Sequence, residues 1–183
     1  MTEKEKSMVD PSFEPDFRQI IPEGDDRERS VCGHCGFVDY QNPKIVVGSV
    51  VTFEEQVVLC RRAIEPRKGY WTLPAGYLEL GESVEEGAIR EAWEEARAQI
   101  KIDRVLAIYS VPRISQVQVM FRARLLDEAI SAGPESEEVM LCSFEDVPWP
   151  EIAFPSAGWA LRQWHETRHA ETFAPFANPV DGL

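Results

Sequence analysis

Glu91 is followed three and four positions later by Glu94 and Glu95. On a helix of 3.6 residues per turn these carboxylates fall within about a quarter of the circumference. Val84, Ala88, Ala92 and Ala96 mark an apolar stripe beside them. Carboxylates crowded at the edge of a buried face repel one another, and either protons or a cation must relieve them. Hard oxygen ligands of this kind suit Mg2+ or Mn2+, which completes its octahedron with waters and phosphate oxygens. The competing reading is a solvated acidic helix face, the ordinary meaning of such a run when it stands alone. A second constellation is Cys32-Gly-His-Cys35, the only cysteine pair with ligand spacing. Cys60 and Cys142 sit in the apolar runs VVLC and VMLC and read as buried thiols of a reducing compartment.

The glutamates need a helix and a turn to position them. Ser83, with Glu86 three residues on, makes a capping box that starts a helix there. Thr72-Leu-Pro-Ala-Gly76 punctuates the chain just before it. Upstream, Ile45–Phe53 and Gln56–Arg61 are β-rich runs joined by the hairpin-like pair Glu54-Glu55. Downstream, strand signals return at Val105–Ser110, Val117–Leu126 and Glu138–Phe144, with SAGPESEE as a loop between the last two. Ser156 is expected to cap a final helix to about His169, and the Pro-broken tail 171–183 is expected to fray. Residues 1–43 form a distinct segment of turns and short strands, and 44–170 the main domain. The order β, β, helix, several β, helix predicts an α+β architecture rather than a doubly wound parallel sheet.

A net charge of −13 argues against nucleic acid as partner but not against a small phosphorylated ligand whose charge a cation offsets. The apolar share of 44% supports a real core. No stretch approaches 18 continuous apolar residues, so no membrane span is expected. The charged start MTEKEKSMVD lacks the apolar region of a secretory signal, so a soluble cytoplasmic protein is the expectation.

The register Gly76-x5-Glu82-x7-Arg90-Glu91-x2-Glu94-Glu95 resembles the signature box of the Nudix hydrolases. Six fixed positions at ordinary residue frequencies coincide by chance on the order of once in ten thousand chains of this length. The stretches YQNPKIVVG, LCRRAIEPRKGYWTLPAGYLELGES and GPESEEVMLCSFEDVPWPEIAFPS extend the likeness over roughly residues 10 to 165. They resemble the branch of that family with an N-terminal zinc ribbon, associated with ADP-ribose and FAD pyrophosphatase activity. The resemblance implies an α/β/α sandwich with a mixed β-sheet and a small β-rich ribbon-like extension. It implies Glu91, Glu94 and Glu95 as ligands of Mg2+ or Mn2+, and Arg90 with Glu82 as a pair that bridges helix and loop. Gly76 matches the turn glycine, leaving room for metal and phosphate. Arg97 stands where the family carries glycine, and is expected to extend the helix by a turn or alter local packing.

The resemblance also implies four zinc-binding cysteines. Cys32 and Cys35 match the second pair, whereas the first pair falls on Asp10 and Phe13. Phe13 cannot bind a metal, so a degenerate ribbon without zinc is expected. The alternative for a remaining Cys pair is redox activity.

The implied chemistry is attack of water on one phosphorus of a P–O–P bridge, helped by the cation and by a carboxylate base. The base is either one of Glu91, Glu94 and Glu95 or a loop glutamate, with Glu138 the candidate and Glu135 another acid of the same GPESEE loop. Arg61, Arg62 and Arg67 are candidates for clamping phosphates. Tyr70 or Trp71 is a candidate for stacking on a base, Trp71 equally for the core, and Arg113 and Gln116 are further candidates. The expected substrate is ADP-ribose or a related nucleoside diphosphate derivative, with FAD or NADH as alternatives. A homodimer is implied by resemblance, and a catalytically idle nucleotide-binding module is the reading from another class.

Overall fold

The computed structural model describes residues 16–180. The chain divides at Asn42 and Pro43 into two compact units. In the first, β1 (Phe17–Ile20), β2 (Arg29–Cys32) and β3 (Val38–Asp39) form an antiparallel sheet in that order. The turn holding both cysteines is closed by Cys32 N–H to Phe37 O (2.8 Å) and Gly36 N–H to Cys32 O (2.9 Å). Asp10 and Phe13 lie outside the described residues.

The second unit comprises β4 (Lys44–Phe53), β5 (Gln56–Arg62), β6 (Trp71–Thr72), β7 (Ala75–Tyr77), α1 (Val84–Ala96), β8 (Ile100–Val111), β9 (Gln116–Leu125), β10 (Ser136–Ser143) and α2 (Pro155–Thr167). The sheet runs β10-β5-β4-β9-β8, with β6 paired to β5 and β7 to β4. Only the β4–β9 pairing is parallel, so the sheet is mixed.

The apolar runs of β4 and β5 are nearly continuous because both faces of these strands are covered. Val50, Val57 and Leu59 pack with Leu106, Tyr109, Met120 and the α2 residues Ala157, Ala160, Leu161 and Trp164. Their neighbours Val51, Val58 and Cys60 point the other way, against Ala92 and Ala96 of α1. The sheet is therefore sandwiched between α1 and α2. No helix among the described residues is long and apolar enough to cross a membrane.

Three local expectations are corrected. Strand β8 begins at Ile100, before Val105, because shifts of register at 102–104 and 105–107 break its alternation. Ser156 is not the cap of α2: Phe154 holds that position without a side-chain bond, and Pro155 opens the helix. The tail does not fray throughout. Phe176 N–H donates to Leu106 O and Ile108 N–H to Phe176 O, both at 2.9 Å, and Asn178 makes reciprocal bonds to the Ser110 backbone. Proline prevents helix there but not pairing along β8, and Phe173 and Phe176 pack against the core.

Candidate active site

Helix α1 presents the glutamates because its first turn is fixed from its own sequence. Ser83 Oγ accepts from Glu86 N–H at 3.2 Å, and Glu86 Oε2 accepts from Ser83 N–H at 2.8 Å. The buried positions that follow are Gly87, Ala88, Glu91, Ala92, Glu95 and Ala96. Small residues let the helix lie close on β4, so Glu91 and Glu95 are carried under its edge at 8% and 5% exposure. Glu94 lies on the exposed side.

Arg90 organises the front of the site. Its Nε and Nη2 donate to the two oxygens of Glu82 at 3.0 and 2.7 Å, the bidentate geometry of a guanidinium–carboxylate pair. Nη2 also donates to Tyr77 O at 3.0 Å, and Nη1 to Glu91 Oε1 at 2.7 Å and Glu94 Oε2 at 3.1 Å. Glu82 Oε1 in turn accepts from Glu79 N–H at 2.7 Å. The Arg90 bonds, followed by that backbone donor, hold the Glu82 carboxyl down at about 2. Loop, helix and β7 are thereby tied through one side chain.

Glu95 Oε2 accepts from Ala75 N–H at 3.0 Å. Burial dominates its environment and pushes its carboxyl up to about 8, against the pull of that N–H and with further push from Glu91 and Glu135. Glu91 is raised too, foremost by burial, while Arg90 opposes the shift.

Gly76 faces Glu91 directly. A Cβ there would lie 2.3 to 2.5 Å from the Glu91 carboxylate atoms, so only glycine leaves that carboxylate its place. Among the described residues no three His, Cys, Asp or Glu side chains converge as a ready-made metal cage. Glu91 and Glu94 share Arg90, and Glu95 turns to Ala75. The donor set nevertheless fits a hard divalent cation: it offers carboxylate oxygens alone, two of them buried at a cost that positive charge offsets, beside a cradle that a Cβ would fill.

The other predicted residues divide. Arg61 donates to Gly69 O at 2.9 Å and lies 3.6 Å from Glu138, its cross-strand partner on β10. Arg62 donates to Pro66 O at 2.8 Å and stacks over Phe154; its charge reaches Glu95 and lowers it. Arg67 lies over the exposed ring of Tyr70, while Trp71 is buried in the core. Gln116 donates to Tyr77 Oη at 3.2 Å, and Arg113 sits in an exposed turn. In the GPESEE loop, the acid whose charge acts on both Glu91 and Glu95 is Glu135.

Two contributions escaped sequence reasoning: the Ala75 N–H on Glu95, and Gly133, whose N–H donates to Glu95 O at 3.0 Å. A Gly-Pro pair signals a turn, but nothing local signals what that turn touches. Arg97 adds no turn to α1. It takes the left-handed cap conformation (φ 52°) that glycine favours, and its guanidinium lies 5.5 Å from the Trp93 ring centre.

The family profile described as NUDIX domain matches residues 42–164, two thirds of the chain and all of the site. The chain belongs to the Nudix hydrolase family. The profile described as Nudix N-terminal, a zinc-ribbon profile, matches residues 16–41. A crystal structure of a NUDIX hydrolase from Nitrosomonas europaea is 42% identical, covering 91% of this chain and 96% of that one with a TM-score of 0.85. The ADP-ribose pyrophosphatase of Methanocaldococcus jannaschii is 29% identical over 119 residues, 63% of this chain and 69% of that protein. The NAD-capped RNA hydrolase NudC of Salmonella typhi is 28% identical over 120 residues, and there the match spans only 46% of the relative. As a Nudix hydrolase the chain belongs among enzymes that use a divalent metal and act on small nucleotide-diphosphate substrates.

Proposed function

We propose that this Nudix hydrolase is a Mg2+-dependent pyrophosphatase that cleaves ADP-ribose to AMP and ribose 5-phosphate. The observation that carries the reading is the buried pair Glu91 and Glu95 beside Glu94, with Glu91 and Glu94 held by one arginine and Glu95 by the Ala75 N–H, in a domain related to an ADP-ribose pyrophosphatase. Glu91, Glu94 and Glu95 would hold the cation. When bound, it neutralises diphosphate oxygens and lowers the pKa of a water. Glu94 must then turn from Arg90 Nη1, which its exposed position permits. Arg90 keeps its bonds to Glu82 and Tyr77 and so fixes the helix against the loop. Arg62 is placed to meet a phosphate from the β5 side. Glu135 is the better candidate to take the water's proton, since its charge already acts on Glu91 and Glu95, whereas Glu138 is engaged by Arg61.

FAD and NADH belong to the same reading. The test is release of AMP from ADP-ribose, FAD and NADH with Mg2+, comparing wild type with Glu95→Gln. Turnover of ADP-ribose above the others supports the proposal; no turnover on any dinucleotide by a folded protein refutes it and leaves an idle binding module. Two subsidiary proposals travel with it. The degenerate ribbon carries less than about a tenth of an equivalent of zinc, checked by metal analysis, and the protein is a homodimer, checked by light scattering.

A further inference from the structure

A helix leaves its last carbonyls without partners inside the helix. At the end of α1 the loop between β9 and β10 supplies two of them. Gly133 N–H donates to Glu95 O at 3.0 Å, and Ser131 N–H to Ala96 O at 2.9 Å. The approach is close enough that a Cβ on Gly133 would sit 1.6 Å from Glu94 O and 2.8 Å from its carbonyl carbon. Gly133 is buried, and its own carbonyl accepts from Ser136 N–H at 3.1 Å. This closes a turn with Pro134 at its second position, where a fixed φ suits it. Glu135 follows in that turn. Its carbonyl accepts from Ala63 N–H at 2.8 Å, just past the end of β5, and Glu137 lies 3.8 Å from Lys68. One short turn thus bonds both to the end of the glutamate helix and to the loop that follows Arg62 and carries Arg67.

We infer that Gly133 is a positioning residue: its N–H and its missing side chain seat the Gly133–Ser136 turn on the last turn of α1, fixing Glu135 relative to Glu91, Glu94 and Glu95. The inference rests on the proposed reading that these glutamates hold the cation. Seating the turn matters because a displacement of about 1 Å in a constellation of this kind can lower its rate roughly 100-fold. Outer contacts that orient metal ligands typically change metal affinity about 10- to 100-fold when lost. Any larger residue at 133 must push either the helix end or the turn away, and both bear groups of the site.

The test uses the full chain with Gly133→Ala and Pro134→Gly. The second variant adds no side chain and removes no donor; it frees the backbone of the turn, so it serves if Gly133→Ala fails to fold. Mn2+ binding is followed by electron paramagnetic resonance, hydrogen exchange by the amides of Ser131 and Gly133, and hydrolysis by AMP release. Gly133→Ala is expected to weaken Mn2+ at least about tenfold and to lower kcat about 100-fold with KM little changed. Pro134→Gly moves the same quantities in the same direction by a smaller factor, with faster exchange at both amides. Wild-type Mn2+ affinity and kcat in the folded variants, with only a lower Tm, overturn the inference and reduce Gly133 to a structural role. Failure of the wild type to hydrolyse any diphosphate overturns the functional reading alone, since Mn2+ affinity and exchange still decide the role of Gly133. A wild type that binds no Mn2+ overturns both.

Discussion

Substituting glutamine for Glu95 is expected to make the metal-free protein more stable at pH 8 while abolishing turnover. Glu95 is 5% exposed, accepts one backbone N–H, and has its carboxyl raised from 4.5 to about 8, foremost by burial. The unfolded chain loses this proton near 4.5, whereas the folded protein keeps it until about 8. Between those values the unfolded state binds fewer protons, so stability falls as pH rises. The contribution is fully present below 4.5 and lost by about 8. At about 1.4 kcal/mol per pH unit the interval amounts to about 5 kcal/mol, of which about 3 is gone by pH 7. Glutamine has the shape of the protonated acid, can accept from Ala75 N–H, and does not titrate. Urea unfolding in chelator between pH 5 and 8 should show the variant ahead by under about 1 kcal/mol at pH 5 and by about 5 at pH 8. Adding Mg2+ should reverse the order, because only the wild type gains a ligand-linked stabilisation. A stability difference that does not change with pH, or a variant less stable throughout, refutes the reasoning.

Gly76→Ala places a methyl within 2.5 Å of the Glu91 carboxylate, and titration calorimetry should show divalent-metal affinity falling about tenfold or more in a folded protein. Arg90→Lys cannot bridge Glu82, Tyr77 O, Glu91 and Glu94 together, so denaturant unfolding should register a loss of about 1–3 kcal/mol. Arg97→Gly relieves a left-handed residue at φ 52° and should raise stability by up to about 1 kcal/mol, seen as a small rise in Tm, the lost stacking on Trp93 offsetting part of the gain. Iodoacetamide with mass-spectrometric mapping should label Cys35, which is exposed, and Cys32, whose thiol is lowered by backbone N–H groups of Cys35 and His34. Cys60 and Cys142, raised by burial, the latter to about 11, should react only on unfolding.

The parts of this fold that were legible are those whose cause is local. Ser83 and Glu86 start α1 through bonds between residues three apart, and the alternation of Val50, Val57 and Leu59 with Val51, Val58 and Cys60 declares a strand pair buried on both faces. The register of Gly76, Glu82, Arg90 and the three glutamates was legible for the same reason. Glu82 lies in the loop just ahead of the Ser83 cap, and the long side chain of Arg90, directed toward the start of the helix, reaches back to it. What stayed hidden depends on distant partners. Nothing near Gly133 announces that it meets Glu94 and Glu95, and nothing near Phe176 announces Leu106. A shift of register between Ser136 and Glu138 breaks the count along β10, so alternation could not tell which acid of GPESEE bears on the helix. Arg97 follows the same rule: tertiary contacts impose the left-handed cap on a residue that local preference would leave helical.

Carboxylates of α1 are proposed to hold a divalent cation at which water attacks phosphorus. Hydrolysis of ADP-ribose in 18O-labelled water tests it directly, with the products weighed by mass spectrometry before and after removal of divalent cations. The expected products are AMP and ribose 5-phosphate, with one 18O on the phosphate of one of them, no turnover in chelator, and full recovery on adding Mg2+. Label on a sugar carbon, or turnover that persists in chelator, contradicts the proposal.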